Sequence, residues 1–276
     1  MLRVYFVLSM IFGLAANTAL AQELSVTKIA GDVYRFKHDH HFSVFALTDA
    51  GVVVTDPINA NAASWLKAKI AEMTDKPITH LVYSHSHEDH AAGGAAFGDV
   101  PNVIAHANAP EQIDGVSPTQ RFDDTLVFKS GNQTFELTYL GAGHSDDLIA
   151  MVIRPENVGF IVDAAGVKQL PYRDMPHSNV DGLIEQVRKI ETLDFDIFAG
   201  GHGELGVKSD ATPVRLYLEE LRSQVLSGLK AGKSVDELTE SVTMNQYKGW
   251  GWTYENWRVL NIQGMARHLK TTGAVN

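Results

Sequence analysis

The chain has 276 residues, 45% of them hydrophobic and 20% charged, which are the proportions of a globular protein and not of a disordered one. It contains no cysteine, and this excludes disulfides, thiolate zinc sites, iron–sulfur clusters and cysteine nucleophiles. A formal charge of −10 with no basic run makes a poor nucleic-acid binder.

Residues 1–21 open with Arg3, continue through an apolar run at 4–16 and end in Ala19-Leu20-Ala21, a small-x-small pattern. This reads as a secretory signal peptide, since the run is shorter than the roughly 20 residues a membrane span needs. The expectation is a secreted, periplasmic protein whose residues 22–276 form one domain. Short strands are predicted at 25–29, 33–37 and 43–48. The β-branched run GVVVT at 51–55 predicts a buried strand that ends at Asp56-Pro57. A helix follows at 60–73, then a second buried strand, ITHLVY, at 78–83. Further strands are predicted at 102–105, at 125–128 and 134–140 around Gly131-Asn132, and at 149–153 and 158–162 around a Pro/Glu/Asn turn. A helix at 182–193 and a strand at 197–199 precede helices at 214–230, 235–242 and 256–271. The alternation of strands and helices argues for an α/β fold, closed by a helical C-terminal cap.

The buried strand at 78–83 runs into His85-Ser86-His87-Glu88-Asp89-His90. Four potential metal ligands therefore lie on one loop at the carboxyl end of a strand, where α/β proteins place their sites. Imidazole and carboxylate are the ligand types of a catalytic zinc that keeps an open position. Three more ligand-capable residues repeat this local logic. His144 in Gly143-His144-Ser145, Asp163 after Ile161-Val162, and His202 in Gly201-His202-Gly203 each follow a strand and sit beside small residues. Alone, each reads as an ordinary loop residue; with the cluster they form a set.

In order and spacing, this set resembles the metallo-β-lactamase-fold hydrolase superfamily, from Asp56 through H-x-H-x-D-H to His202. The resemblance implies an αββα sandwich of two mixed β-sheets flanked by helices, with metals at one edge. It also implies two zinc ions per chain. His85, His87 and His144 would hold the first, Asp89, His90 and His202 the second, and Asp163 would bridge them. Asp89 would also orient a metal-bridging hydroxide, and no serine or cysteine nucleophile is needed. Asp56 would orient the ligand loop; read from the residues alone, it serves equally as a turn residue or as the cap of the 60–73 helix.

The missing cysteine excludes the β-lactamase subclasses with a Cys ligand, and Asp163 argues against the subclass without a bridging aspartate. The resemblance thus favours an exported zinc hydrolase of an ester, lactone, thioester or amide-type bond. A β-lactamase is the alternative, and a mononuclear iron persulfide dioxygenase is the alternative from another class. The expected partner is a small-molecule substrate, with neither nucleic acid nor a stable membrane anchor.

Around the pocket, Asp39-His40-His41-Phe42 reads chiefly as a solvated loop, with substrate contact by His40 and His41 as the other reading. Residues 167–179 read as a crossover loop that could also wall the substrate through Tyr172, Arg173 and His177. Trp250, Trp252, Tyr254 and Trp257 read mainly as packing of the helical cap. His80 and His106 are expected to be core or surface residues. Glu219, Glu220 and Arg222 are expected on a solvated helix face.

Overall fold

A computed structural model describes residues 23–275, so the expected leader lies outside the described residues. The first half of the chain contributes β1 (Leu24–Ala30), β2 (Val33–His38), β3 (His41–Thr48), β4 (Gly51–Thr55), α1 (Ala60–Met73), β5 (Ile78–Val82), the single turn α2 (Glu88–Ala91), β6 (Asn102–His106) and β7 (Gln120–Phe122). Its seven strands form one mixed sheet in chain order, antiparallel from β1 to β4 and parallel from β4 to β7.

The second half contributes β8 (Thr125–Ser130), β9 (Gln133–Tyr139), β10 (Ile149–Arg154), β11 (Val158–Ile161), α3 (Val180–Thr192), β12 (Ile197–Gly200), β13 (Gly206–Val207), α4 (Ala211–Lys230), α5 (Val235–Ser241) and α6 (Trp252–Thr271). Its sheet runs β13-β12-β11-β10-β9-β8, with only β11 and β12 parallel.

Side-chain alternation along β4 explains why its run is apolar throughout. Val52 and Val54 pack with Phe36, Phe45 and the α1 residues Ala62, Ala63, Leu66 and Ile70 on the outer side of the first sheet. Val53 joins Val44, Ala46, Val82 and Ile104 in the inner core, which also holds Leu137, Ile149 and Met151 of the second sheet. The same buried cluster takes in Val187 and Ile190 of α3, Leu218 and Leu221 of α4, and Ile262 and Met265 of α6. The layers are therefore helix, sheet, sheet, helix, with α4 to α6 forming the C-terminal helical region.

Several boundaries shift for local reasons. Strand β3 begins at His41, because a tight turn with Asp39 at φ 53° closes the β2–β3 hairpin. Helix α1 is capped by Asn59, whose side-chain oxygen accepts from Ala62 N at 2.9 Å, so Asp56 is not the cap. Helix α4 starts at Ala211, upstream of Pro213, a position tolerated in a first turn. Helix α6 starts at Trp252, four residues before the expected 256. Strands β7 and β13, with three and two residues, are too short to show an alternating pattern.

Candidate metal centre

Each half of the chain brings loops to the same edge of the sandwich. After β5, Tyr83 and Ser84 lead into His85 and His87, and α2 turns Asp89 and His90 back toward them. From the second sheet come His144 after β9, Asp163 after β11 and His202 after β12. Backbone bonds join the halves here: Ile149 N donates to Ser84 O at 2.9 Å and Phe42 N to Gly201 O at 2.8 Å.

All seven expected ligands come together in two groups that share one residue. His85, His87, His144 and Asp163 form one group, and Asp89, His90, Asp163 and His202 the other, with the ligand atoms of each within 4.8 Å of one another. The Asp163 carboxylate is split between them. Its Oδ2 lies 3.5 Å from His85 Nε2 and 3.2 Å from His144 Nε2, and its Oδ1 lies 3.5 Å from His90 Nε2 and 3.2 Å from His202 Nε2. His144 Nε2 stands 2.9 Å from His87 Nδ1, and His90 Nε2 stands 3.1 Å from His202 Nε2. Two nitrogens on one tetrahedral zinc at about 2.0–2.1 Å are about 3.3–3.4 Å apart, close to these separations. Asp89 is the exposed member, with Oδ2 3.9 Å from His90 Nε2.

The surrounding hydrogen bonds leave lone pairs aimed inward. Ser84 Oγ donates to Asp56 Oδ2 at 2.6 Å, and Ser84 N donates to Oδ1 at 2.8 Å. With its proton committed to Asp56, Ser84 Oγ accepts from His85 Nδ1 at 3.0 Å, which leaves His85 Nε2 as a lone pair. That Nε2 is buried and has no hydrogen-bond partner among the described residues, as a metal ligand requires. His202 Nδ1 donates to His40 O at 2.9 Å and thereby also frees its Nε2. Asp56 Oδ2 lies 3.6 Å from His90 Nδ1 as well, so one carboxylate stands behind two of the imidazoles.

Burial lowers the His85 pKa well below the ordinary histidine value, against the pull of Asp163, and so keeps the ring neutral and able to ligate. Burial lowers His87 too, with His144 acting in the same direction. For His90, burial works against charge, but Asp163 and Asp56 outweigh it and raise the pKa. Burial opposes ionisation of Asp163, yet His90 and His144 hold its carboxyl well below the usual range. The site therefore attracts positive charge, and these donors suit a divalent ion.

Two buried polar side chains grip the ligand loops. Gln186 of α3, fully buried, accepts from His144 N at 2.8 Å and donates to Gly141 O at 2.6 Å. Helix α3 presses so close to this loop that a Cβ at Gly182 would lie 1.9 Å from Ala142 O. Arg35 of β2 reaches through the sandwich to donate from Nη2 to Gly200 O at 3.0 Å and Gly203 O at 2.7 Å, with Phe42 stacked 3.6 Å from its guanidinium carbon. Burial lowers its pKa to about 10, with Glu204 pulling upward. A Cβ at Gly201 would lie 2.9 Å from His90 Cε1, so this glycine leaves room for the ring. Asp163 adopts φ 55°, a left-handed conformation that costs a non-glycine residue energy and persists where neighbours enforce it.

Other expected residues divide. His41, read chiefly as a loop residue, lies on β3 with Nε2 3.5 Å from Asp89 Oδ2 and its ring edge-on to His202 and His90. His40 takes part through its backbone carbonyl. The His177 ring is 6.1 Å from that of His87. Trp250 packs on Tyr217 and Tyr247, whereas Trp252 is exposed. His80 stacks on Phe128, and the buried His106 stacks on Tyr139. Glu219 and Arg222 pair across to Arg188 and Asp181 of α3. Sequence reasoning missed Gln186 and Arg35. Gln186 carried a signal, since it falls in the apolar stripe Leu183, Val187 and Ile190 of α3.

The profile of the metallo-beta-lactamase superfamily matches residues 40–202, more than half of the chain. The chain belongs to this superfamily. Its members are metal-dependent hydrolases, and the two helix-flanked mixed sheets are the superfamily's fold. By sequence it is 25% identical over 203 residues to the 2,4-dinitroanisole O-demethylase subunit alpha of Nocardioides sp., covering 70% of this chain and 61% of that subunit. It is 24% identical over 203 residues to the metallo-beta-lactamase type 2 of Elizabethkingia meningoseptica, covering 62% and 77% of the two chains. By structure it matches the metallo-beta-lactamase from Pontibacter korlensis with a TM-score of 0.63 and 19% identity, over 71% of this chain and 99% of that one. It matches the stereoselective inverting sec-alkylsulfatase Pisa1 from Pseudomonas sp. with a TM-score of 0.71 and 13% identity, over 91% of this chain and 51% of that one.

Proposed function

We propose that the chain is an exported, dinuclear zinc hydrolase that cleaves an ester, lactone, thioester or amide-type bond of a small molecule. One observation carries this reading: the Asp163 carboxylate is divided between two otherwise complete sets of three ligands. His85, His87 and His144 would hold one ion and Asp89, His90 and His202 the other. Zinc bound there supplies a water that ionises near neutral pH and a Lewis acid for a developing oxyanion. The protein's part is to orient. Asp56 through Ser84 fixes the tautomer of His85, and the His40 carbonyl fixes that of His202. Asp89, on the open side, orients the attacking water. His41 and His177 stand at the rim, beside Asp89 and His87.

Export rests on the N-terminal pattern of residues 1–21. Among the described residues no helix is long and apolar enough to cross a membrane. β-Lactam hydrolysis is the second reading, supported by the type 2 metallo-beta-lactamase relative. The names of the other relatives add an aryl methyl ether and a secondary alkyl sulfate to the bonds worth assaying.

The test is metal analysis together with a hydrolysis panel of lactones, a glutathione thioester, an aryl ester, a chromogenic β-lactam, an aryl methyl ether and an alkyl sulfate. Two zinc ions per chain and turnover abolished by chelation and restored by zinc are expected. A single iron with dioxygenase activity, or turnover that survives thorough chelation, refutes the reading.

A further inference from the structure

Resting on the dinuclear metallohydrolase reading, we infer that His41 is a positioning residue for the second metal site: its imidazole holds the Asp89 carboxylate in place to ligate. The β2–β3 hairpin thereby sets the affinity of that site and leaves the first site untouched.

Asp89 is the ligand most in need of support. It sits on the single turn α2, and its side chain is 52% exposed. Two basic nitrogens approach its carboxylate, both at Oδ2: His41 Nε2 at 3.5 Å and His90 Nε2 at 3.9 Å. His90 Nε2 is itself a candidate ligand atom, 3.1 Å from His202 Nε2, so His41 is the group free to hold Asp89. A carboxylate only accepts, which makes the His41 nitrogen that faces it the N–H. Each carboxylate oxygen carries two lone pairs, so Oδ2 can accept from His41 and ligate as well. Fixing an exposed side chain before the ion arrives lowers the entropic cost of binding it.

The contacts of His41 are confined to one site. Its ring stands edge-on to those of His202 and His90, at centroid distances of 4.8 and 5.6 Å. Together with Asp89, these are the three ligands that belong to the second site alone. The rings of His85, His87 and His144 pack against one another instead.

The backbone on both sides of His41 is fastened to the His202 loop. His40 O accepts from His202 Nδ1 at 2.9 Å, and Phe42 N donates to Gly201 O at 2.8 Å. The Phe42 ring lies 3.6 Å from the Arg35 guanidinium carbon, and Arg35 holds the carbonyls of Gly200 and Gly203. The turn before His41 is tied down too. Asp39 N donates to Glu23 O, and Asp39 Oδ1 accepts from Glu23 N, both at 3.1 Å. A side chain mounted on this frame therefore carries the register of the His202 loop across to α2. Ligands from opposite sheets are brought to one spacing by a residue that need not bind the ion.

The experiment titrates zinc into the metal-free full chain against a competing chelating indicator and reads a dissociation constant for each site. Asp89→Ala, which removes a ligand of the second site only, marks which constant belongs to it. His41→Phe keeps a ring and His41→Leu does not, and both lack the donor. Each is expected to weaken the second site about tenfold and leave the first unchanged. His41→Gln places an amide N–H at similar reach and is expected to restore most of that affinity. An unchanged second-site constant in the donor-free variants overturns the inference, and a rate change without it makes His41 a substrate contact instead. Equal weakening of both sites, retention by phenylalanine alone, or failure of glutamine to rescue also overturns it, since each outcome points to packing or direct ligation. Wild type that takes up a single ion refutes the dinuclear reading and this inference with it. The expected pattern without chelator-sensitive turnover upholds the positioning role and sinks the hydrolase reading alone.

Discussion

Replacing Gln186 with leucine tests whether α3 holds the His144 loop in place. The substitution preserves size and removes both amide bonds, leaving His144 N–H and Gly141 C=O without their partner in a partly buried setting. An unsatisfied buried group costs about 1–3 kcal/mol, and partial access to water places each of these toward the low end. The expected loss is therefore about 2–3 kcal/mol, or about 4–6 °C in Tm for a chain of this size. Urea melts of metal-free wild type and variant, followed by circular dichroism, measure it directly. Zinc titration of the same proteins should show about tenfold weaker binding at one of the two sites, because the loop carries only one of the seven ligands. A stability loss below about 1 kcal/mol refutes the clamp. A full stability loss with unchanged zinc affinity at both sites refutes the claim that the clamp sets ligand placement.

If Asp89 is a ligand and orients the attacking water, as proposed, Asp89→Ala should lower bound zinc from two ions to one per chain and turnover by about 10²-fold or more; a near-wild-type rate with two ions refutes both roles. Asp56→Asn can turn its amide donor toward Ser84 Oγ and disturb the relay to His85. Zinc affinity should drop about 10- to 100-fold while the fold persists, and an unchanged dissociation constant counts against the relay. The Arg222 contact holds Asp181 below the usual carboxylate range, with burial opposing and His268 assisting. Because the folded pKa is the lower one, this link stabilises the protein above the ordinary Asp value and is lost as pH falls through the folded value. Asp181→Asn should therefore flatten the acid side of a stability-versus-pH curve, and an unaltered acid limb excludes the contribution.

Much of this architecture was legible in the chain because its signals are local. GVVVT is buried at every position, as a strand covered on both faces requires, and ITHLVY is buried from Leu81 onward; both supply inner strands of the first sheet. The ligands stand where strands end, so finding the strands also located the site. What escaped notice depends on contacts distant in sequence. Arg35 sits 165 residues from Gly200, and nothing in VYRFKH reveals that its guanidinium crosses to the other sheet. Beside polar Asp39 and His40, His41 reads as part of a loop, yet a two-residue turn suffices to carry the strand back to it. From the sequence alone, Asp56 reads equally as a cap and as support for the ligand loop. Asn59, three residues on, takes the cap and leaves both Asp56 oxygens for Ser84.

The division of ligands between the two sheets has a mechanical consequence. Four of the seven come from the loop after β5 in the first sheet and three from loops of the second, and Asp163 touches both sets. A bound ion acts there as a rivet across the seam between two successive halves of the chain. Any partial unfolding that parts the sheets must first release it. Ligation thus adds RT ln(1 + [L]/Kd) to the stability of the closed form, about 2.7 kcal/mol for each site at a hundredfold excess of free metal over Kd. The protein's lifetime among proteases would then follow the supply of metal around it, and metal starvation would thin the population of molecules as well as silence them.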